Sequence, residues 1–291
     1  AFGRSASEER LLFLELFAGA GGLTAAVRRL GMPALDTQDL LKPDDSGLSK
    51  EYDLANESHF KELRSLIRMG KIRWLHGGPP CKTFSRARRS DRFAFARKLR
   101  SDEVPEGFEP KPFKVREANL LATRMARLAR CAYKAGGWFT IENPEESLMW
   151  KFSPLVSLAK LPGVSLFKGD QCVLGGFYTK PTGWLSNAPW MKVVCRRCPP
   201  EHPKHPPLVG FAETFDGKKV WMTELAAEYS EGLCDALAAA YASAFRSAPQ
   251  NNTPKRTIFE VEGASHTPEG PTKRVRKDIE ADQCVGGLRN P

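Results

Sequence analysis

The chain has 291 residues, of which 41% are apolar, enough for one sizeable α/β domain with additions. Its net charge of +10 is unusual for an enzyme of small metabolites and favours a polyanionic partner, nucleic acid first and an anionic membrane surface second. No apolar segment approaches the roughly 20 residues that span a bilayer, and seven irregularly spaced cysteines exclude a disulfide framework and favour reduced thiols.

The first predicted unit is a strand, a glycine-rich turn and a helix. An apolar run at 11–17 precedes the turn Ala18-Gly19-Ala20-Gly21-Gly22, and helical spacing follows at Leu23, Ala26, Val27 and Leu30. Such a unit opens a doubly wound sheet, and its small residues let a ligand approach the helix N-terminus. The spacing differs from Gly-x-Gly-x-x-Gly, which disfavours a nicotinamide or flavin cofactor. A glycine turn without a ligand is the alternative.

Three acidic residues follow this unit. Asp36 and Asp39 come after a brief apolar piece, where a carboxylate in such folds accepts the ribose hydroxyls of a cofactor. The sequence does not choose between the two. Asp53 offers another acceptor, for an adenine amino group, or it caps the helix predicted over 60–67.

An unusual loop follows the next predicted strand, residues 72–75. Gly77-Gly78-Pro79-Pro80 leads to Cys81, and Lys82-Thr83-Phe84-Ser85 follows. Glycine permits a close backbone approach and proline fixes φ, so the run indicates a shaped loop at the carboxyl end of a sheet strand. An ordinary turn with a small buried cysteine is the alternative.

Positive charge rises sharply after this loop. The basic residues within fifteen positions are Arg86, Arg88, Arg89, Arg92, Arg97, Lys98 and Arg100, interrupted by Phe93 and Phe95. Guanidinium groups interleaved with aromatic rings suit a loop that follows phosphates and stacks on bases. We favour nucleic-acid contact here over a solvated charged face.

The next two elements bring an acid to the same edge. A helix is predicted around 121–132 and a buried strand over 138–141, which ends in Glu142-Asn143-Pro144. If the strands that end near Cys81 and Glu142 are parallel neighbours, both side chains face one cleft. Glu142 is then a candidate catalytic acid instead of a surface cap.

These stretches together resemble the cytosine-5 DNA methyltransferases. Residues 16–22 look like the family's first motif, which binds S-adenosylmethionine, residues 77–85 like its nucleophile motif, and Glu142-Asn143 like the Glu-Asn pair of its sixth. The similarity covers residues 11–190, with a weaker echo in a closing helix at 225–245. It implies a doubly wound, mostly parallel sheet of the Rossmann-like class I methyltransferases, with a small insert.

The resemblance implies three sets of functional residues. Cys81 would add to carbon 6 of a flipped-out cytosine in DNA, and Glu142 would hydrogen-bond the ring N3 and amino group. With the neighbouring motif residues, the implied catalytic set is Cys81, Glu142, Asn143 and Pro80. The set for the cofactor S-adenosylmethionine is Phe17, Ala18, Gly19, Ala20, Gly21, Gly22, Leu23, Asp36, Asp39, Asp53 and Pro79. The nucleic-acid set is Ser85, Arg86, Arg88, Arg89, Arg92 and Arg97.

The chain also departs from the family pattern. Pro144 stands where the family has Val after Glu-Asn, and Gln171-Cys172-Val173-Leu174-Gly175 replaces its arginine-bearing motif, so no base-contacting Arg is assigned. Only about 30 to 40 residues separate Trp184 from the closing helix, so the region that reads sequence is small. We therefore expect short or weak sequence preference.

The remaining cysteines give weaker signals. Cys195, Cys198, His202 and His205 are four candidate zinc ligands, but their tight, proline-rich spacing favours a plain basic loop, and we predict no metal. The contexts of Cys131, Cys172 and Cys234 predict packing residues.

We therefore expect one methyltransferase domain at 8–247, a reduced substrate-side insert at 184–220, and a disordered basic tail or linker at 248–291. The expected partner is DNA or alternatively RNA, with no membrane partner. We expect an intracellular, soluble monomer, nuclear or cytoplasmic. Because no Met begins the chain, we expect either a trimmed chain or a piece of a longer polypeptide such as a polyprotein. A non-catalytic nucleic-acid-binding relic of a mobile element is the other alternative.

Overall fold

The structure, a computed structural model, describes residues 11–37, 53–86, 98–213 and 217–247. Some predicted residues lie outside these ranges, namely Asp39, Arg88, Arg89, Arg92 and Arg97. The predicted tail beyond 247 also lies outside the described residues.

The described strands form one five-stranded sheet and one two-stranded hairpin. Their bounds are β1 Leu12–Leu16, β2 Ile72–Gly77, β3 Trp138–Pro144, β4 Ser165–Asp170, β5 Pro181–Ser186, β6 Phe211–Glu213 and β7 Lys219–Trp221. The main sheet has the order β1-β2-β3-β5-β4, and β6 pairs with β7.

Helices connect these strands. Their bounds are α1 Gly22–Arg29, α2 Glu57–Arg68, α3 Phe113–Lys134, α4 Ser153–Ala159, α5 Met222–Leu225 and α6 Glu231–Ser247. Short 3-10 helices lie at Leu148–Lys151, Gln171–Leu174 and Pro189–Val194. Within the described ranges, none of these helices combines the length and the apolar character that crossing a bilayer requires.

The main sheet is mostly parallel, as the sequence predicts. β1, β2 and β3 are parallel neighbours, whereas β5 runs antiparallel to both β3 and β4. β5 includes residues 184–186, which the sequence had placed in the insert, so the first residues of that segment belong to the sheet.

Helices cover both faces of the sheet, because successive strand residues point to opposite sides. Leu14 and Leu75 belong to the core that α2, α3 and α4 complete, whereas Phe13 and Trp74 belong to the core that α1 and α6 complete. Burial on both faces explains why these strands read as continuous apolar runs. The predicted α/β class is confirmed.

Three element boundaries differ from the sequence prediction. α3 is 22 residues long and begins earlier than the predicted helix. β3 extends through Pro144, so Glu142 and Asn143 lie inside a paired strand, with Glu142 opposite Trp184 of β5. The closing helix predicted at 225–245 is instead α5 and α6, separated by a break that contains Tyr229.

Candidate active site

Three strand ends lie side by side at one edge of the main sheet. Leu16 at the end of β1 pairs with Gly77 at the end of β2, and Gly77 pairs with Ile141 of β3. The predicted adjacency of the strands that precede Cys81 and Glu142 is therefore confirmed. Parallel strands direct the three following segments to one edge, where α/β proteins bind ligands.

The Cys81 loop, residues 77–86, is held against the sheet. A side chain at Gly77 would lie 2.8 Å from the Met125 sulfur of α3, so glycine lets the strand end and α3 pack closely without displacing Met125. The buried Asn143 amide donates a hydrogen bond to the Pro79 carbonyl at 2.9 Å. Pro80 is exposed and Cys81 half-buried. Asn143 therefore positions the backbone that leads to the thiol.

Arg100 holds the other end of the Cys81 loop. Its guanidinium donates to the Thr83 carbonyl at 3.1 Å and to the Pro105 carbonyl and Asn119 Oδ1, each at 2.7 Å. It also lies 3.6 Å from the centre of the buried Phe84 ring. The sequence had grouped Arg100 with the phosphate-following arginines. This was wrong, because the side chain is 2% exposed and supports the loop from inside.

Glu142 is a buried acid in a sparse polar environment. Burial raises the pKa of its carboxyl group, while Lys180 and a hydrogen bond from Tyr229 act in the opposite direction. The Lys180 ammonium lies 4.0 Å from Glu142 Oε1. That oxygen is buried and accepts no hydrogen bond from the described residues. The site thus holds an acceptor for an external donor.

Cys81 titrates in the same environment. Burial raises the pKa of its thiol and the Glu142 carboxylate raises it further, whereas the ammonium groups of Lys180 and Lys82 lower it. Glu142 and Cys81 are therefore near enough to be coupled electrostatically. Any ligand that neutralises Glu142 lowers the pKa of the thiol and favours the nucleophilic thiolate.

A hydrogen-bonded chain connects Glu142 to the sheet interior. His76 Nε2 lies 3.1 Å from the Tyr229 hydroxyl, and His76 Nδ1 lies 2.6 Å from Thr140 Oγ1, which also accepts from the Trp74 indole at 3.0 Å. Burial lowers the pKa of His76 to about 3, so the ring is neutral. With Tyr229 donating to Glu142, His76 Nε2 donates to Tyr229 and Thr140 donates to His76 Nδ1. The chain orients Tyr229 toward the acid.

The predicted cofactor loop follows β1 beside the Cys81 loop. Gly19 and Gly21 have φ of 52° and 71°, a region that favours glycine, and a side chain at Gly19 would meet no atom within 4 Å. Ala20 is exposed, while Phe17, which also has a positive φ, and Ala18 are half-buried. The loop therefore leaves space at this edge.

Other predicted cofactor residues have structural contacts. A side chain at Gly22 would lie 3.3 Å from the Cys234 sulfur of α6, so Gly22 serves helix packing. Leu23 is fully buried in the core beneath α1, and Pro79 is buried in the Cys81 loop. The buried Glu15 of β1, which the sequence reading did not single out, accepts from the Thr24 amide of α1 at 2.9 Å.

The two described acids predicted to bind cofactor are on the surface or half-buried. Asp36 lies two residues after Ala34, which forms a parallel bridge with Phe13 of β1. The Asp36 carboxylate accepts a hydrogen bond from Arg28 at 2.8 Å. Asp53 accepts from the Ala55 amide at 2.7 Å, in the turn before α2. The N-cap of α2 is Asn56, so the predicted capping alternative for Asp53 is wrong.

The nucleic-acid set is represented by Ser85 and Arg86, both half-buried. Arg86 forms a bidentate ion pair with Asp102 and donates to the Glu146 carbonyl at 3.0 Å. This geometry ties the end of the Cys81 loop to two neighbouring segments. A role for Arg86 in nucleic-acid binding stays a prediction.

Three residues of this site were missed from the sequence: His76, Lys180 and Tyr229. A histidine inside an otherwise apolar strand was a usable signal, because a buried ring needs partners. Lys180 and Tyr229 gave no such signal, since each is far from Glu142 in the chain and reaches it only through the antiparallel return of β5 and the break before α6.

Comparison with known proteins gives little further information. The chain is similar to the crystal structure of S. pombe Dnmt2 methyltransferase, with a TM-score of 0.34 and 15% identity, over 61% of this chain and 49% of that one. The match thus spans about half the length of that protein. No family model and no curated protein matches the chain.

Proposed function

We propose that this chain transfers a methyl group from S-adenosylmethionine to carbon 5 of cytosine in DNA. The observation that carries the proposal is that the strands leading to Cys81 and Glu142 are parallel neighbours and that the buried Glu142 carboxyl influences the thiol electrostatically, while one of its oxygens accepts no hydrogen bond from the described residues. A nucleophile beside an acid with a raised pKa suits covalent catalysis with proton assistance. The sheet is then that of a Rossmann-like class I methyltransferase.

The residues present fit S-adenosylmethionine. The loop after β1 leaves open space at Gly19, next to the strand end that leads into the Cys81 loop, and α1 begins there with no acidic residue in its first turn. Residues 17–21 would hold the cofactor by their backbone, with Asp36 near the ribose. When bound, S-adenosylmethionine supplies an electrophilic methyl group.

Cys81 opens the reaction on a cytosine. Its thiolate forms a bond to carbon 6, and the electrons of the carbon 5–carbon 6 double bond move toward N3, which makes carbon 5 nucleophilic. Carbon 5 would take the methyl group from the sulfonium of S-adenosylmethionine, whose methyl–sulfur bond would break to leave the neutral thioether S-adenosylhomocysteine. A base then removes the proton from carbon 5, the double bond forms again, and the bond from sulfur to carbon 6 breaks to release Cys81.

Glu142, Lys180 and Tyr229 control the proton at N3. A carboxyl group with a raised pKa shares a proton with N3, and its unpaired oxygen accepts from the exocyclic amino group. While Glu142 still holds its proton it does not raise the pKa of Cys81, so the thiolate is favoured before the proton moves to N3. The Lys180 ammonium, 4.0 Å from Glu142 Oε1, lies close enough to stabilise the carboxylate that remains when the proton moves to N3.

Charge and access support a nucleic-acid substrate. A net charge of +10 suits a polyanion, and carbon 6 is reached only when the base leaves its stack. Between β5 and α6, the described residues contain only a 3-10 helix, the β6–β7 hairpin and α5. This small region also suits a folded RNA, which makes cytosine-5 methylation of RNA the second candidate.

Tritiated S-adenosylmethionine tests the proposal. We expect label to enter duplex DNA and cytosine-5 methylation to be read by bisulfite sequencing, with tRNA tested in parallel. DNA containing 5-fluorocytosine should form a covalent adduct. A base cannot remove the fluorine from carbon 5 as it removes a proton, so the bond from sulfur to carbon 6 does not break.

Matched cysteine variants complete the experiment. Cys81→Ala should abolish label transfer and the adduct, while Cys195→Ala, which changes an exposed cysteine, should preserve both. Label in tRNA alone would replace DNA with RNA as the substrate. Cofactor binding without an adduct on either substrate would favour a non-catalytic binding protein and overturn the proposed chemistry.

A further inference from the structure

A second group of reactive side chains lies away from the candidate active site. Cys172 follows β4 in a 3-10 helix, and the Cys198 loop, residues 195–206, brings Cys198, His202 and His205 to it. One ligand atom from each of the four lies within 4.8 Å of all the others. Cys172 is buried and the other three are half-buried.

The distances within this group match the edges of a metal-centred tetrahedron. Zinc bonds of about 2.3 Å to sulfur and 2.0–2.1 Å to nitrogen require edges of about 3.6 Å between S and N and about 3.3 Å between two N. Cys198 Sγ lies 3.5 Å from His202 Nδ1 and 3.4 Å from His205 Nε2, and the two nitrogens are 3.2 Å apart. Three of the four donors therefore already stand at ligand spacing.

The second nitrogen of His205 fixes the orientation of its ring. His205 Nδ1 lies 3.0 Å from the Phe177 carbonyl oxygen, which can only accept, so Nδ1 carries the proton. In the neutral ring Nε2 then presents a lone pair to Cys198 and His202. Metal-binding histidines have this arrangement, in which a backbone carbonyl sets the tautomer.

The backbone before Cys198 is anchored to β4. A side chain at Gly169 would overlap the Val194 carbonyl oxygen, so glycine allows the two segments to touch. The Asp170 amide donates to the Arg196 carbonyl at 2.8 Å, and the Cys198 amide donates to Asp170 Oδ2 at 2.8 Å. Cys172 lies two residues after Asp170, so these contacts place Cys198 next to Cys172.

We propose that Cys172, Cys198, His202 and His205 bind one Zn²⁺ in a closed tetrahedral, structural site. Two thiolates and two neutral imidazoles balance the charge of the ion and occupy all four positions, which leaves none for substrate. The sequence had offered Cys195 as the fourth ligand and Cys172 as a packing residue. The structure instead gives an exposed Cys195 whose sulfur lies 3.9 Å from the Met191 carbonyl, outside the group.

The zinc would anchor a segment of the candidate active site. Cys172 and Phe177 precede Lys180, whose ammonium lies 4.0 Å from Glu142. Binding would therefore tie the Cys198 loop to the chain that presents Lys180. The metal site itself does not depend on the proposed methyl transfer.

Metal content of the purified full chain tests this site. We expect about one zinc per chain by mass spectrometry, and Co²⁺ substituted for zinc should give the visible bands of tetrahedral cobalt with thiolate charge transfer. Cys172→Ser and Cys198→Ser should each lower zinc content at least about tenfold, while the matched Cys195→Ser keeps it.

Two results would overturn the proposal. One is loss of zinc in Cys195→Ser with retention in Cys172→Ser, which would restore the ligand set taken from the sequence. The other is a wild-type chain that, after growth with added zinc, holds no stoichiometric metal and gives no tetrahedral cobalt spectrum. Should the serine variants fail to fold, His205→Cys provides the measurement, because a third thiolate must strengthen the cobalt charge-transfer band.

Discussion

The Cys81 loop and the Cys198 loop both present a cysteine to polar neighbours, but different interactions fix them. In the Cys81 loop, Pro79, Thr83 and Phe84 are buried, and the buried side chains of Asn143 and Arg100 hold its backbone. In the described Cys198 loop no residue is buried. Its contacts include bonds to the backbone and carboxylate of Asp170, the contact of His205 with the Phe177 carbonyl, and the ion pairs of the exposed Arg197.

This difference shows how the setting of a cysteine decides its chemistry. Cys81 faces one acid and one ammonium group, which adjust its protonation and leave its sulfur available for reaction. Cys198 faces three further ligand atoms, which together favour a cation. A bound cation would fix the Cys198 loop, whereas the protein interior fixes the Cys81 loop.

The largest expected effect is that of Glu142→Gln on the Cys81 side of the comparison. Loss of the shared proton should lower methyl transfer about 10²- to 10⁴-fold. Because ionised Glu142 raises the pKa of Cys81, the pH profile of Cys81 alkylation should shift to lower pH. Mass spectrometry of protein treated with iodoacetamide at several pH values measures the alkylation of each cysteine separately.

Zinc content should not change in Glu142→Gln. The control Glu146→Gln, at an exposed position, should leave both methyl transfer and the pH profile of Cys81 alkylation unchanged. An unshifted alkylation profile in Glu142→Gln would contradict the coupling between the acid and the thiol.

Arg100→Met should have the next largest effect, on global stability. It leaves the Thr83 and Pro105 carbonyls and Asn119 without their buried donor, which should cost about 3 kcal/mol in the free energy of unfolding. Arg196→Met, in the Cys198 loop, changes an exposed side chain and should cost less than about 0.5 kcal/mol. Urea unfolding of the two variants compares them directly, and equal costs would contradict the distinction between the loops.

His76 gives an effect that is small near neutral pH and grows on acidification. Its pKa is about 3 in the folded protein against 6.5 when exposed, so only the unfolded chain binds this proton between those values. The stability present above pH 6.5 should therefore fall on acidification by about 1.4 kcal/mol per pH unit. His76→Gln, whose amide can still donate to Tyr229, should lose that part of the slope in denaturant titrations at several pH values. An unchanged slope would show that His76 is protonated in the fold.

Lys180→Met should have the smallest effect. Its ammonium lowers the pKa of Cys81, so its removal should slow alkylation of Cys81 near neutral pH, opposite to the effect of Glu142→Gln. A partly buried ion interaction of about 0.2–1 kcal/mol corresponds to at most about a fivefold change in rate. Lys192→Met, at an exposed position, is the control. Faster alkylation in Lys180→Met would contradict the assigned electrostatics.

The sequence by itself determined the elements that lead into the candidate site. Apolar runs predicted β1, β2 and β3, helical spacing predicted α1, α2 and α3, and glycine and proline marked the loops after β1 and β2. These signals are local. A strand that is buried on both faces has consecutive apolar residues, and an amphipathic helix has apolar residues at a regular spacing of three or four.

Tertiary structure alone decided which distant residues meet. Tyr229 reaches Glu142 because the closing helix is broken, and Lys180 reaches it because β5 returns antiparallel beside β3. Cys172, instead of Cys195, joins Cys198 because β4 and the segment before Cys198 are in contact. Sequence periodicity does not predict these contacts, since they depend on strand order and on the packing of segments that are far apart in the chain.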